Sequence, residues 1–383
     1  MHICFISHEY PQKDIPHGGI GTFLQTIATS LVEAGHEVTV IGWYKGSKLL
    51  REVDHGVSII RTPYPNITGL KWLQNIWNIS SEVKKIHEHK KIDIIEGQEG
   101  AFAFFPKIRD IKYIIRLHGG HHFFSTYEQR GINPWKGFLE KKSFKKADGF
   151  ISVSKHVQEV TQKYISFKGK PERLINYPIN TTRFYKADAK KSQRYKIVFA
   201  GTICEKKGVR QLLKAVHLLL DEYPNLKVEL YGRDWFYPNG QSYIEEMKAQ
   251  DFFNADAMHF MGPLPHEELP VKYEEADICV FPSHGETQGL VAPEAMCMGK
   301  IVLFSEIGPG PETIIDGETG FLCNPHDAQD IANKLRHYFI NRSVYSEMGN
   351  MARLASLKKF DPNIIMSRNL AFYSELINHK IDA

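Results

Sequence analysis

The sequence predicts an α/β protein made of two doubly wound parallel-sheet domains that face each other across a cleft. Three observations carry the prediction. The chain runs to 383 residues, more than a single hydrophobic core serves. Short β-branched apolar runs alternate with longer amphipathic stretches in both halves, the pattern of parallel strands with helices on their faces. That alternation is interrupted at 176–184, where Pro178 and the pair Thr181 and Thr182 break it, and the polar stretch 186–194 that follows has the composition of a linker. The domains are therefore Rossmann-like halves at 1–185 and 186–361, followed by a terminal segment at 362–383.

In the first half, 2–7, 37–42, 57–61, 93–96, 113–117 and 149–153 read as strands, with helices at 20–34, 70–89, 135–146 and 155–165. In the second half the strands are 196–200, 227–231, 258–261, 278–281 and 301–304, and the helices 209–222, 243–250, 267–275, 290–298, 328–340 and 343–357. The segment 362–378 has the pattern of a further helix. No run of 18 apolar residues occurs, and the opening MHICFISHEY enters a strand without a basic region or cleavage site, so the expectation is a cytosolic protein. Five scattered cysteines, mostly in apolar runs, indicate buried thiols rather than a disulfide framework or a zinc site. The net charge of +4 hides an uneven distribution: 1–186 carry 27 Lys and Arg against 17 Asp and Glu, whereas 187–383 carry 21 against 27. A basic first half suits an anionic partner surface, with solvated helix faces as the bland alternative.

The stretch 277–306 carries the most chemistry. Between two short apolar strands lie a loop with Gly285 and Gly289 and a helix that stops at Gly299. Glu286 sits in the loop and Glu294 in the helix, a Glu-x7-Glu spacing. The N–H groups of Gly289, Leu290 and Val291 at the helix start suit an anionic group such as a diphosphate. A carboxylate beside an anion serves hydroxyls, and the two oxygens of Glu294 match the two hydroxyls of a ribose. The combination points to a sugar nucleotide.

Elsewhere, Gly18 and Gly19 open the first long helix but lie about ten residues beyond the strand, and the second strand ends at Gly42-Trp43 without an acidic residue, which argues against a dinucleotide fingerprint. Taken alone, they permit a turn before the helix. His118 follows a strand in Arg116-Leu117-His118-Gly119-Gly120 and is expected to project from its carboxyl edge. Gly201-Thr202 ends the first strand of the second half, and Lys206-Lys207-Gly208 precedes its first helix.

These segments resemble the retaining nucleotide-sugar glycosyltransferases of the GT-B fold, the large family 4 group, over 197–324 and more thinly before it. The resemblance implies transfer of a sugar from a nucleotide diphosphate donor to a glycan or lipid-linked acceptor hydroxyl, with retention, as in bacterial-type surface polysaccharide or glycolipid assembly. It implies that Lys207 reaches the diphosphate, that Glu286 meets donor-sugar hydroxyls, that His118 orients the donor sugar, and that the terminal helix crosses back onto the first domain. Gly18 and Gly19 would then approach the donor phosphates or the acceptor. The family usually has an arginine where Thr202 stands, so one cation is absent, and Lys206 is a candidate substitute. Gly308 to Glu312 and Asp316 to Phe321 match the family's glycine-rich turn and a closing hairpin. No Asp-x-Asp pair occurs, so no cofactor and no obligatory metal are expected, with Lys207 and the helix start serving the leaving diphosphate.

Two other readings stand beside this one. A sugar-nucleotide epimerase or another GT-B enzyme would share the two-domain plan. A basic nucleic-acid binder would need a known module of interleaved basic and aromatic residues, and the acidic second half speaks against it; no nucleic-acid partner is expected. Phe123, Phe124, Tyr127, Trp135 and Phe138, interleaved with Arg130, Lys136, Lys141, Lys142, Lys145 and Lys146, suggest docking on an anionic membrane surface; the alternative is a helix whose aromatics pack inward.

Overall fold

The computed structural model describes residues 1–12, 18–64, 71–127 and 131–378. The chain divides into two compact units, one formed by 1–178 together with the segment from 362 onward, the other by 179–361. In the first, β1 (His2–Ile6) leads to α1 (Gly19–Glu33), β2 (Glu37–Tyr44), β3 (Leu50–Asp54), β4 (Val57–Pro63), α2 (Lys71–His89), β5 (Ile94–Gly97), β6 (Lys112–Leu117), α3 (His121–Tyr127), α4 (Pro134–Lys146), β7 (Gly149–Ser152), α5 (Lys155–Gln162) and β8 (Glu172–Leu174). The described strands make one sheet in the order β3-β4-β2-β1-β5-β6-β7-β8, parallel except for β3. Its apolar core strands are buried on both faces, as a doubly wound sheet requires.

The second unit contains β9 (Lys196–Ala200), α6 (Val209–His217), β10 (Lys227–Tyr231), α7 (Tyr243–Lys248), β11 (Met258–Gly262), α8 (Leu269–Glu275), β12 (Ile278–Phe281), α9 (Val291–Cys297), β13 (Val302–Ser305), α10 (Gly310–Thr313), β14 (Phe321–Cys323), α11 (Ala328–Ile340) and α12 (Met348–Phe360). Its described strands form a second parallel sheet, β11-β10-β9-β12-β13-β14. Helix α6 shows how such a helix is specified: Val209, Leu212, Leu213 and Val216 recur at helical spacing and are all buried.

The last helix, α13 (Pro362–Asn378), belongs to the first unit and is tied into it by buried polar groups. Arg116, with no exposed surface, grips Glu96 through two hydrogen bonds of 2.6 and 3.0 Å. Its Nη2 also donates to Asn369 at 2.6 Å, and the Tyr373 hydroxyl donates to Glu96 at 2.7 Å. A charge so deeply buried is tolerable only because it is paired and hydrogen-bonded.

Several features differ from the sequence expectations. Strand β3 is not foreseen, because its residues 51–53 are exposed and partly charged; it is an edge strand joined to β4 by His55 and Gly56, both in left-handed conformation. Strand β8 and helix α3 are also additions. Helix α6 stops at His217 rather than 222, and α12 begins at Met348 rather than 343. The chain enters its second unit after Pro178, not at the polar stretch from 186. That stretch packs on the second unit: Asp188 N–H donates to the buried Glu274 at 2.9 Å, Lys191 pairs with it at 2.9 Å, and Ala187 N–H donates to the Met298 carbonyl at 2.9 Å. Residues 316–320 form no hairpin. Gly317 N–H turns back to the Gly320 carbonyl, and the chain continues as β14, parallel to β13. Cys204 is half-buried, unlike the other four cysteines.

The aromatic segment of the first unit is split. Phe123 is core, Phe124 and Tyr127 are half-buried, and Trp135 and Phe138 are exposed. The outer pair joins Trp72 and Phe104 in a run of touching rings, with Lys142 Nζ 3.6 Å from the centre of the Phe104 ring. Arg130, His17 and the first residue of the expected helix 70–89 lie outside the described residues. Among the described residues, no helix is long and apolar enough to cross a membrane.

Candidate active site

In the second unit the strand order reverses between β9 and β12. Their pairing, Ile197 beside Ile278 and Val198 beside Cys279, sets the loops that leave their carboxyl ends next to each other. Open α/β sheets bind ligands at such a switch point. The two loops are joined directly, the His284 N–H donating to the Lys206 carbonyl at 2.9 Å. Gly208 permits the approach. It has φ +69°, and a Cβ there would stand 1.9 Å from the Pro282 carbonyl oxygen. It also closes the short turn Glu205–Lys207, which delivers the Lys207 ammonium to Glu286 Oε1 in an ion pair. Ser283 Oγ donates to the same carboxylate oxygen at 3.1 Å. Gly289, at φ +73°, packs over this pair: a Cβ would lie 3.4 Å from Glu286 Cγ and 2.8 Å from the Phe304 ring.

Helix α9 starts behind Gly289. Among the described residues no carbonyl accepts from the N–H groups of Gly289, Leu290 or Val291. Glu294 lies in the first turn and is buried; its Oε1 is 2.9 Å from His266 Nε2, and His266 Nδ1 is 2.8 Å from Arg183 Nη1. Thr202, half-buried at the end of β9, makes no hydrogen bond to these side chains among the described residues.

The remaining sequence candidates belong to the first unit. His118 follows β6 but is buried, its Nδ1 2.5 Å from the Tyr177 hydroxyl and its ring stacked on Tyr177 and tilted against Phe23. Burial first, and then the Arg116 guanidinium, push the imidazole down to about 3, so the ring is neutral at physiological pH. It lines a small recess with Ser7, Ile20, Glu96 and Gln98. Gly18 and Gly19 are exposed at the start of α1, where Gly18 caps the helix in an extended conformation without a side-chain bond. A Cβ on Gly18 would lie at an ordinary 3.6 Å from Glu9, so packing alone does not demand glycine there.

The family model described as glycosyl transferases group 1 matches residues 181–355, and that described as glycosyltransferase family 4 matches 17–183. Together the two models cover 17–355, and the chain belongs to the glycosyltransferases that they describe. Known members resemble the transferase to different extents. A D-inositol 3-phosphate glycosyltransferase of Streptomyces avermitilis is 31% identical over 220 residues, 54% of this chain and 47% of that protein, so the match spans about half of the relative's length. A glycogen synthase of Mycobacterium tuberculosis is 24% identical over 409 aligned positions, 97% of this chain and 94% of that protein. Among solved structures, a sucrose-phosphate synthase of Thermosynechococcus elongatus superimposes with a TM-score of 0.84 at 23% identity, covering 99% of this chain and 100% of that one. Anabaena HepE in complex with UDP and glucose gives 0.78 at 17% identity, covering 98% and 100%. These neighbours share the GT-B fold.

Within the transferase the structure thus gathers Lys207, Glu286 and Gly289 at one point, with Glu294 in the helix behind. Sequence reasoning missed Ser283, His266, Arg183 and Tyr177. Ser283 sits three residues before Glu286, a spacing at which a hydroxyl readily reaches a carboxylate. For His266 and Arg183 no local signal existed, since each reaches the site only through the tertiary fold.

Proposed function

We propose that this glycosyltransferase moves a hexosyl group from a nucleotide-diphosphate-sugar to an acceptor hydroxyl with retention of anomeric configuration, in the assembly of a surface polysaccharide or glycolipid. The observation that supports the reading is the meeting of Lys207 and Glu286 beside Gly289, at the switch point of the sheet and inside the matched region. An unsatisfied diphosphate competes for Lys207, so donor binding draws the lysine from Glu286 and frees that carboxylate for sugar hydroxyls. The N–H groups of Gly289, Leu290 and Val291 take phosphate oxygens, and Glu294 takes the ribose. In the step itself the bond from the anomeric carbon to the diphosphate oxygen breaks while one to the acceptor oxygen forms on the same face. The acceptor proton passes to the departing phosphate oxygen. Lys207 neutralises the charge that develops there, so we infer that no divalent ion is required and that activity survives a chelator. His118, a neutral ring, serves as a hydrogen-bonding group for a sugar hydroxyl rather than as a charged acid. The exposed start of α1 at Gly18 and Gly19 offers further N–H groups to a phosphate or an acceptor.

A panel of nucleotide sugars, followed by mass spectrometry for hydrolysis or transfer, identifies the donor, and proton NMR of the product reads its anomeric configuration. Inversion would refute the retaining step while leaving the transfer reading intact.

For the acceptor, the exposed rings of Trp135 and Phe138, interleaved along α4 with Lys136, Lys141 and Lys142, support a lipid-linked substrate met at the inner face of an anionic membrane. Each lysine near such a surface contributes roughly 1 kcal/mol at low salt. Sedimentation with anionic and neutral vesicles tests this. Binding that is absent, or indifferent to lipid charge and salt, favours a soluble acceptor of the kind the relatives' names suggest, a glucan or an inositol phosphate.

A further inference from the structure

We propose that Arg183 and His266 form a positioning relay for Glu294, presenting one chosen carboxylate oxygen to the donor's ribose; the inference rests on the ribose reading of Glu294 given above. The direction of the relay follows from hydrogen-bond chemistry. A guanidinium has donors only, so in the 2.8 Å contact between Arg183 Nη1 and His266 Nδ1 the imidazole nitrogen is the acceptor. Nε2 must then carry the ring proton, and it donates to Glu294 Oε1 at 2.9 Å. Oε1 is thereby engaged, and Oε2 is left for a ligand hydroxyl. Each member is held in place. Arg183 lies in a tight turn, its own N–H donating to Asn180 Oδ1 at 2.8 Å and the next N–H, that of Phe184, to the Asn180 carbonyl at 2.9 Å. The buried Phe184 ring stands edge-on to the imidazole at 5.3 Å. Glu294 is itself 2% exposed, so its rotamer is set by these neighbours and not by water.

The relay makes a prediction that a merely structural role does not. His266 and Arg183 affect only the part of nucleotide affinity that depends on the ribose hydroxyls. Calorimetry with UDP, GDP and ADP, each against its 2′,3′-dideoxy counterpart, selects the pair with the largest preference for the ribose form, and the variants are compared on that pair. Both His266→Leu and Arg183→Met are expected to cut the preference by about tenfold while leaving affinity for the dideoxy nucleotide within about twofold. His266→Gln, whose amide offers an acceptor and a donor in the same order, restores most of it. The double variant His266→Leu with Arg183→Met is no worse than either single one, because the relay is already broken. Equal weakening toward both nucleotides, or no change in the preference, overturns the relay. If Glu294→Gln lowers the preference and His266→Leu does not, the relay fails and the ribose reading stands. An unchanged preference in Glu294→Gln refutes the ribose reading itself.

Discussion

Replacing Gly208 by alanine tests whether the two loops of the candidate site are built as one unit. The new methyl group would stand 1.9 Å from the Pro282 carbonyl oxygen, where ordinary contact begins near 3.4 Å, so the loops must part by the difference, about 1.5 Å. The residue must also hold φ +69°, a left-handed conformation that costs a side-chain-bearing residue roughly 1 to 2 kcal/mol. Adding overpacking of about 1 to 3 kcal/mol gives a total near 2 to 5 kcal/mol if the loops resist. If they yield, the His284 to Lys206 hydrogen bond breaks and Lys207 leaves Glu286. A displacement of about 1 Å at a reacting centre costs on the order of 10²-fold in turnover. Gly240→Ala is the control. Gly240 has φ +85° with nothing within 4 Å of a built Cβ, so it carries the conformational cost without the clash. Differential scanning calorimetry and turnover with the identified donor are the assays. Gly208→Ala is expected to melt well below Gly240→Ala, at about 2 to 4 °C per kcal/mol for a unit of this size, and to lose most activity. Equal melting of the two variants with undiminished turnover would refute the close approach of the loops as the device that positions Lys207.

Two further outcomes follow from the same geometry. Lys207→Ala is expected to lower turnover by about 10²-fold or more and Lys206→Ala by far less, since Lys207 is the cation that meets Glu286; the reverse order in steady-state kinetics would move the role to Lys206. In the first unit, burial and then the neighbouring Glu140 carboxylate push Glu99 up to about 8 from an ordinary 4.5. The folded state therefore keeps a proton that the unfolded chain releases, so the stabilisation is complete below pH 4.5 and is lost as pH rises through about 8. Denaturation across that window should show Glu99→Gln gaining stability relative to wild type as pH rises, by up to about 4 kcal/mol, and a pH-independent difference would contradict it.

The parts of the site that were legible in the sequence are those carried by contiguous segments. Glu286, Gly289 and Glu294 share one strand-loop-helix stretch, and Lys207-Gly208 another, so turn chemistry and helix-start chemistry could be read locally. That Lys207 and Glu286 meet could not be read locally, because β9 and β12 are neighbours in the sheet although β10 and β11 lie between them in the chain. The same limit hid His266 and Arg183, which come to Glu294 from separate parts of the chain. His118 was placed correctly after its strand, but its burial against Tyr177 depends on a residue 59 positions later. Strand β3 escaped because an edge strand with charged, exposed residues lacks the alternation that marks a buried one. The polar run from 186 reads as a linker, yet its groups are satisfied by Glu274 and by backbone that only the folded second unit supplies.

Lys207 and Glu286 are proposed to act together on a nucleotide-diphosphate-sugar. Incubating the intact protein with UDP-, GDP- and ADP-sugars and measuring release of the nucleoside diphosphate by mass spectrometry, with and without a chelator, tests this most directly. The expected result is release from a donor in this panel, undiminished by chelation and lost in Lys207→Ala and in Glu286→Gln while both variants remain folded. Release that both variants retain in full, or that depends strictly on a divalent ion, would contradict it.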